Sequence, residues 1–292
     1  MYGQGIVPSI GHTNASEQVG QTALTHMGQN PRRATHYSNA MPKSTLPSAA
    51  DKTPSVANAI LEDSNTAIEL IVDGIHVKPD DVKYFVTTAG QDRVILITDG
   101  ISARGLGDGL HYLGSTLITV KDNVARVYTP PSGKFEDVDM AEFNKAPLAG
   151  SLVFMHQAVK NMIDFAGVTL GQALQMATEN PARNLGFSNI GTIQPGKLAD
   201  FVILDGQSLQ PVATLMNGKF VSQEANPALK FEQRNVQSAI QSQWAPRPGQ
   251  PLYFAGGQAA VAAAIAEAEK TTRKAEQAST PPADRPTSTA TV

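Results

Sequence analysis

Apolar and polar positions fall into regular blocks along residues 7–100. Four short apolar runs each end in an ionisable residue. They read Val7-Pro8-Ser9-Ile10-Gly11-His12, Arg33-Ala34-Thr35-His36, Glu69-Leu70-Ile71-Val72-Asp73-Gly74-Ile75-His76 and Val94-Ile95-Leu96-Ile97-Thr98-Asp99. Helical spacing fills the gaps between them. Ser16 is placed to cap a helix in which Val19, Ala23, Leu24 and Met27 repeat on one face. A polar loop runs from Met41 to Lys52, and Pro54 then opens a helix carrying Val56, Ala57, Ile60 and Leu61. Pro79 again sits where a helix begins, followed by Val82, Phe85 and Val86. This βαβα rhythm predicts parallel strands joined by right-handed crossovers. The Leu70-Ile71-Val72 and Val94–Ile97 runs suit strands buried on both faces.

The pattern changes after residue 105. Leu117 to Tyr128, with Lys121-Asp122-Asn123 in the middle, predicts a hairpin with a short polar turn. Residues 131–147 read as an exposed loop. Two amphipathic helices are expected, Leu152 to Phe165 and Thr169 to Thr178, the second ended by Asn180-Pro181-Ala182-Arg183 because Pro disfavours continuation. Gly191 to Leu204 reads as turn, loop and strand. Val212 to Val221 reads as a pair of strands with Asn217-Gly218 at the turn. Beyond residue 224 Gln, Ala, Pro and Ser dominate. Residues 255–278 are expected to be helical, with Glu269 and Arg273 at i,i+4, and the last stretch from Pro281 disordered.

Composition narrows the chemistry. The chain has 292 residues and no cysteine, so thiolate metal sites, disulfides and a cysteine nucleophile are excluded. A net charge of −3 gives no basic field for nucleic acid or an anionic membrane. Nothing at the N-terminus resembles a signal peptide and no run is long enough to span a membrane, so a cytoplasmic location is expected. Gly105-Leu106-Gly107-Asp108-Gly109 does not join a strand to a helix as a dinucleotide fingerprint would. Ser102, Ser115 and Ser151 lie in no nucleophile elbow. His26, His111 and His156 read as surface or packing residues.

A strand that stays apolar and then presents one ionisable side chain at its C-terminal end has the form of one spoke of a barrel active site. Three His and one Asp on successive spokes point to a metal hydrolase, in which imidazoles bind Zn or Fe. Each spoke residue also has an ordinary structural reading. His12 and His36 can be hydrogen-bonded core or surface residues, His76 can bond a neighbouring loop, and Asp99 before Gly100 can be a turn residue. Asp99 is otherwise the candidate general base and acid.

The stretches Gly11-His12-Thr13-Asn14-Ala15, Ala34-Thr35-His36-Tyr37-Ser38-Asn39-Ala40-Met41, Asp73-Gly74-Ile75-His76-Val77, Thr98-Asp99-Gly100, Leu148-Ala149-Gly150-Ser151 and Asn180-Pro181-Ala182-Arg183 occur in this order. Together with the Gly191-to-Val202 segment they resemble the N-acetylglucosamine-6-phosphate deacetylase family, from about residue 6 to about residue 222. The resemblance implies an α/β fold. Its expected form is a partial TIM-type (β/α) barrel made of the last four βα units over residues 1–187, part of a small β-sandwich over 188–223, and a low-complexity tail over 224–292.

The implied reaction is metal-dependent removal of acetate from N-acetylglucosamine 6-phosphate. His12 and His36 would be ligands of a divalent metal ion, Zn or Fe, and Asp99 the catalytic acid and base. His76, Asn39 and Ala40 would contact the substrate, and Leu148, Ala149 and Gly150 would close over it. The implied partners are the phosphorylated amino sugar and a second copy in a homodimer, with no nucleic acid and no membrane.

Three departures from the family pattern qualify this reading. The family's glutamate metal ligand comes from a strand before the first spoke, and residues 1–6 hold no counterpart. A whole barrel needs ~250 residues, so the pattern is that of a C-terminal portion with weak independent activity. Asp51-Lys52-Thr53-Pro54-Ser55 stands where the family has a phosphate-binding Arg that reaches across the dimer, and Lys52 lacks that residue's bidentate fork. Lys78 stands where the family often has a second His. The alternatives are an amidohydrolase acting on a cyclic amide or another acylated amino sugar, and an inactive remnant serving only as an interaction partner.

Overall fold

The structure, a computed structural model, describes residues 6–221. Strands β1 (Ser9–Ile10), β2 (Arg32–Ala34), β3 (Thr66–Ile71) and β4 (Val94–Ile97) form one sheet in the order β1-β2-β3-β4. All three pairings are parallel, with Ile10 beside Ala34, Ala34 beside Ile68, and Leu70 beside Leu96. Helices α1 (Glu17–Met27), α2 (Val56–Glu62) and α3 (Pro79–Ala89) make the three crossovers. This is the βαβα unit that the apolar spacing predicts.

Local chemistry sets the helix starts. Ser16 caps α1 by accepting from the Val19 N–H, and Pro79 occupies the first turn of α3. The second helix begins later than expected. Pro54 lies outside it, and Ser55 is the N-cap, in a reciprocal box with Asn58. A Ser side chain satisfies helix N–H groups that Pro has no means of satisfying.

After β4 comes an antiparallel meander, β5 (Gly109–Leu113), β6 (Thr116–Lys121) and β7 (Val124–Arg126). Asp122 and Asn123, at φ 51° and 59°, make the two-residue turn between β6 and β7, as expected of a hairpin. The first strand of the meander was not anticipated, because its Gly-Leu-His-Tyr-Leu sequence alternates poorly.

The expected exposed loop over 131–147 is corrected. It contains a helix, α4 (Met140–Lys145), capped by Asp139. The reason is Phe143, which is buried and meets Tyr128 edge-on at 6.0 Å. One anchoring aromatic is invisible to a periodicity test but suffices to dock a single turn and a half.

Helices α5 (Met155–Ala166) and α6 (Leu170–Ala177) pack on the parallel sheet, and a further helix, α7 (Glu179–Asn184), follows. The expectation that Asn180-Pro181-Ala182-Arg183 stops a helix is therefore corrected. The chain breaks at Thr178 and restarts, placing Pro181 in a first turn, where its missing N–H costs nothing. Ile68, Leu70, Val94 and Leu96 from the sheet, Val72 just past β3, Ile60 from α2, Phe85 from α3, Met162 from α5 and Met176 from α6 make one core, all at most 2 % exposed. Asn161 on α5 donates to the Val72 carbonyl at 2.8 Å, joining that helix to the end of β3.

Of the described residues, 6–192 and 204–211 form one compact unit and 193–203 with 212–221 a second. A three-stranded sheet in the order β10-β9-β8, made of β8 (Phe201–Leu204), β9 (Pro211–Met216) and β10 (Lys219–Phe220), has all its residues but Leu204 and Pro211 in the second. Asn217 and Gly218, at φ 50° and 74°, form its hairpin turn. No described helix is long and apolar enough to cross a membrane. The expectations for the tail over 224–292 lie outside the described residues.

Candidate functional site

The four spoke residues lie just past the C-terminal ends of the parallel strands. His12 follows β1, His36 follows β2, the Asp73–His76 turn follows β3, and Asp99 follows β4. His12, His36 and Asp99 all adopt left-handed backbone, at φ 44°, 33° and 46°. Such a conformation is uncommon and strained in a residue with a Cβ, and it persists only where the surroundings impose it. Its recurrence at the ends of three of the four strands, β1, β2 and β4, makes this rim the strained part of the sheet.

The His36 turn is held from several directions. The Tyr37 N–H donates to the Glu69 carbonyl at 2.7 Å. The Tyr37 hydroxyl, fully buried, donates to the Ala57 carbonyl at 2.7 Å. Burial pushes that phenol far above its ordinary value. Ser38 and Ala40 continue the turn in left-handed conformation, and the Asn39 N–H donates to the His36 carbonyl at 2.9 Å. A Cβ at Gly11 would stand 3.1 Å from the Thr35 Cβ, so glycine eases the approach of the two chains that carry His12 and His36. Their rings meet with centroids 4.6 Å apart at 30°.

His36 Nδ1 is buried without a hydrogen-bond partner. A lone pair kept from water in this way is suited to a cation. Two imidazoles so placed fit two positions around a divalent ion. Among the described residues no group of three or more His, Cys, Asp or Glu side chains converges to complete such a sphere.

Two carboxylates that received no role from the sequence hold the site together. Glu69, on β3, pairs with Arg33 of β2 at 3.1 Å and accepts from the His36 N–H. Burial pushes the Glu69 carboxyl above its ordinary range; Arg33 and the His36 N–H oppose the shift, and nearby Asp99 adds to it. The available signal was a single acid inside an otherwise apolar strand. Asp73 accepts from the N–H groups of Ile75 and His76, each at 2.8 Å, and its other oxygen meets His76 Nδ1 at 2.6 Å. Desolvation alone would raise the Asp73 carboxyl, but the His76 ring and these N–H groups outweigh it and hold it below the ordinary range. His76 is buried, and its Nε2 has no partner. With Nδ1–H given to Asp73, a neutral ring offers Nε2 as an acceptor, and only the protonated ring donates there.

The segment Leu148–Ser151 lies beside Asp99. The Ser151 N–H donates to the Asp99 carbonyl at 2.9 Å, and the Ile101 N–H donates to the Ser151 carbonyl at 3.3 Å. Gly150, at φ 73°, has no room for a Cβ, which would stand 2.6 Å from Ile101 Cγ2. Asp99 itself is exposed. The structure thus brings His12 to His36, Asn39 and Ala40 into the His36 turn, and Leu148–Gly150 to Asp99.

The other histidines lie elsewhere. His26 donates to the Thr22 carbonyl at 2.7 Å within α1, and His111 Nε2 donates to the Gly107 carbonyl at 3.0 Å. His156 stacks on Phe154 at 5.8 Å, and burial pulls its ring below the usual value.

Comparison with known proteins adds four matches. The model of the amidohydrolase family matches residues 10–239. The chain is 29 % identical over 220 residues to an N-acetylglucosamine-6-phosphate deacetylase of Haemophilus influenzae, covering 74 % of this chain and 51 % of that protein. It is 35 % identical over 153 residues to an N-acetylgalactosamine-6-phosphate deacetylase of Escherichia coli, covering 52 % of this chain and 36 % of that protein. Among solved structures, an N-acetyl-D-glucosamine-6-phosphate deacetylase variant of Mycobacterium smegmatis, in complex with N-acetyl-D-glucosamine-6-phosphate, matches with TM-score 0.62 and 32 % identity, covering 75 % of this chain and 52 % of that one. The chain spans about half the length of the N-acetylglucosamine-6-phosphate deacetylases it matches.

Proposed function

The chain belongs to the amidohydrolase family, and from that premise we propose that it acts in the hydrolysis of the acetamide of N-acetylglucosamine 6-phosphate, giving acetate and the free amine. The four parallel strands are read as βα units of a TIM-type barrel, whose chemistry gathers at the C-terminal rim. The observation that carries the reading is the rim itself: three ionisable residues at the ends of β1, β2 and β4, all in left-handed backbone, with two imidazoles 4.6 Å apart and tilted by 30°.

His12 and His36 are assigned to a divalent ion, Zn or Fe, which when bound supplies Lewis-acid chemistry and water activation. Asp99 takes the proton of the attacking water as the new C–O bond forms at the acetyl carbon. It returns that proton to the amine nitrogen as the C–N bond breaks. The charged form of His76, braced by Asp73, donates from Nε2 to the acetyl oxygen as negative charge develops there. Asn39 and Ala40 position the sugar, and Leu148 to Gly150 cover it and limit water.

The test is acetate release followed by proton NMR, with the chain supplied with Zn or Fe. N-acetylglucosamine 6-phosphate should be cleaved, and Asp99→Asn should lower the rate by roughly 100-fold or more, the scale of a lost general acid and base. Equal rates in the variant and the parent chain would overturn the assignment of Asp99. N-acetylgalactosamine 6-phosphate belongs in the same assay, because a relative 35 % identical carries that name. Faster release from it would move the substrate to the epimeric sugar without changing the roles.

A further inference from the structure

Two lysines, Lys43 and Lys52, lie in the loop between the His36 turn and α2. Position alone favours Lys52 as a phosphate contact. The structure engages its ammonium otherwise. Lys52 Nζ donates to the carbonyl of Leu46, and also to that of Pro47 at 3.0 Å, pinning the loop to itself.

Lys43 is differently placed. Its ammonium reaches back to the Ser38 hydroxyl at 3.0 Å. Ser38 is 2 % exposed and stands two residues from His36, inside the turn that also holds Asn39 and Ala40. Among the described residues Lys43 forms no ion pair. The residue as a whole is exposed, while its ammonium lies against buried Ser38. Burial there lowers its pKa, and Lys78 lowers it further while Asp81 opposes the change. Lys78 itself stands two residues beyond His76. Lys43 thus lies in the field of a second ammonium and of one carboxylate. An ammonium whose acceptor here is a single hydroxyl keeps donors free for an anion.

We infer that Lys43, rather than Lys52, is the cation that anchors the phosphate of the substrate, at the edge of the His36 turn. Lys78 adds to the local positive potential without needing to touch the ligand. The inference rests on the functional reading above, since it takes its anion from the proposed substrate.

Calorimetric binding of glucosamine 6-phosphate and of glucosamine separates the possibilities, because it requires no turnover. The parent chain should prefer the phosphorylated sugar. Lys43→Met should reduce that preference by about tenfold or more, the scale of a lost hydrogen bond to a charged group. Lys43→Arg should keep most of it, and Lys52→Met should leave it within about twofold. Thermal melting establishes that each variant is folded. A preference that survives in Lys43→Met, or one that collapses only in Lys52→Met, overturns the inference and leaves the functional reading standing. A parent chain without any preference for the phosphorylated sugar overturns both.

Discussion

At the scale of single residues, the rim of the parallel sheet depends on groups that fix other groups. Asp73 is the example with a measurable consequence. Its native carboxyl is held below the ordinary range, so the unfolded chain binds more protons than the native one as the pH falls. The stability it contributes is present above the unfolded value of ~3.9 and is lost as pH drops through the lower native value. Asp73→Asn should therefore be less stable than the parent at neutral pH, and the gap in urea midpoint should close between about pH 5 and about pH 2. A gap that stays constant over that range would mean that the carboxylate charge plays no part. His12, His36, His76 and Asp99 are legible as candidates because each ends an apolar run. Asp73 and Glu69 are not, because their importance lies in what they touch: the His76 ring in one case, Arg33 and the His36 N–H in the other.

At the scale of elements, the Asn180-Pro181-Ala182-Arg183 stretch shows how a motif can serve packing. Asn180 is 1 % exposed and donates to the carbonyls of Gln91 at 2.8 Å and Val94 at 2.7 Å. Arg183 donates to the Asp92 carbonyl at 2.7 Å. Helix α7 is thereby fastened to the entrance of β4, the strand that delivers Asp99 at its other end. Asn180→Ala leaves two acceptors unsatisfied, one of them on a buried residue, and should cost about 2–4 kcal/mol, read as a lower urea midpoint with an unchanged slope. A loss under about 0.5 kcal/mol would show that the carbonyls find other partners. The helices and strands with several periodic apolar residues were legible from spacing. Helix α4 was not, since a single buried Phe143 holds it, and neither was the restart of the chain at Thr178.

At the scale of the whole molecule, an ion that binds only the folded rim must stabilise the entire first unit. At 100 times its dissociation constant it contributes ~2.7 kcal/mol. For a unit of this size that raises the melting temperature by roughly 5–10 °C. Added Zn should produce such a shift in the parent chain. His12→Ala and His36→Ala should each remove most of it, and a shift that persists in both would place the ion elsewhere. The sequence by itself determined the βα rhythm and the identity of the four rim residues, because burial periodicity and strand ends are local properties of the chain. It also carried the family, through the order of its motifs. Only the tertiary structure decided which side chains meet: His12 with His36, Asp73 with His76, Glu69 with Arg33, Lys43 with Ser38. The reason is physical: hydrogen bonds and ion pairs act over a few ångströms, and the distances between residues on different strands exist only once the sheet has formed.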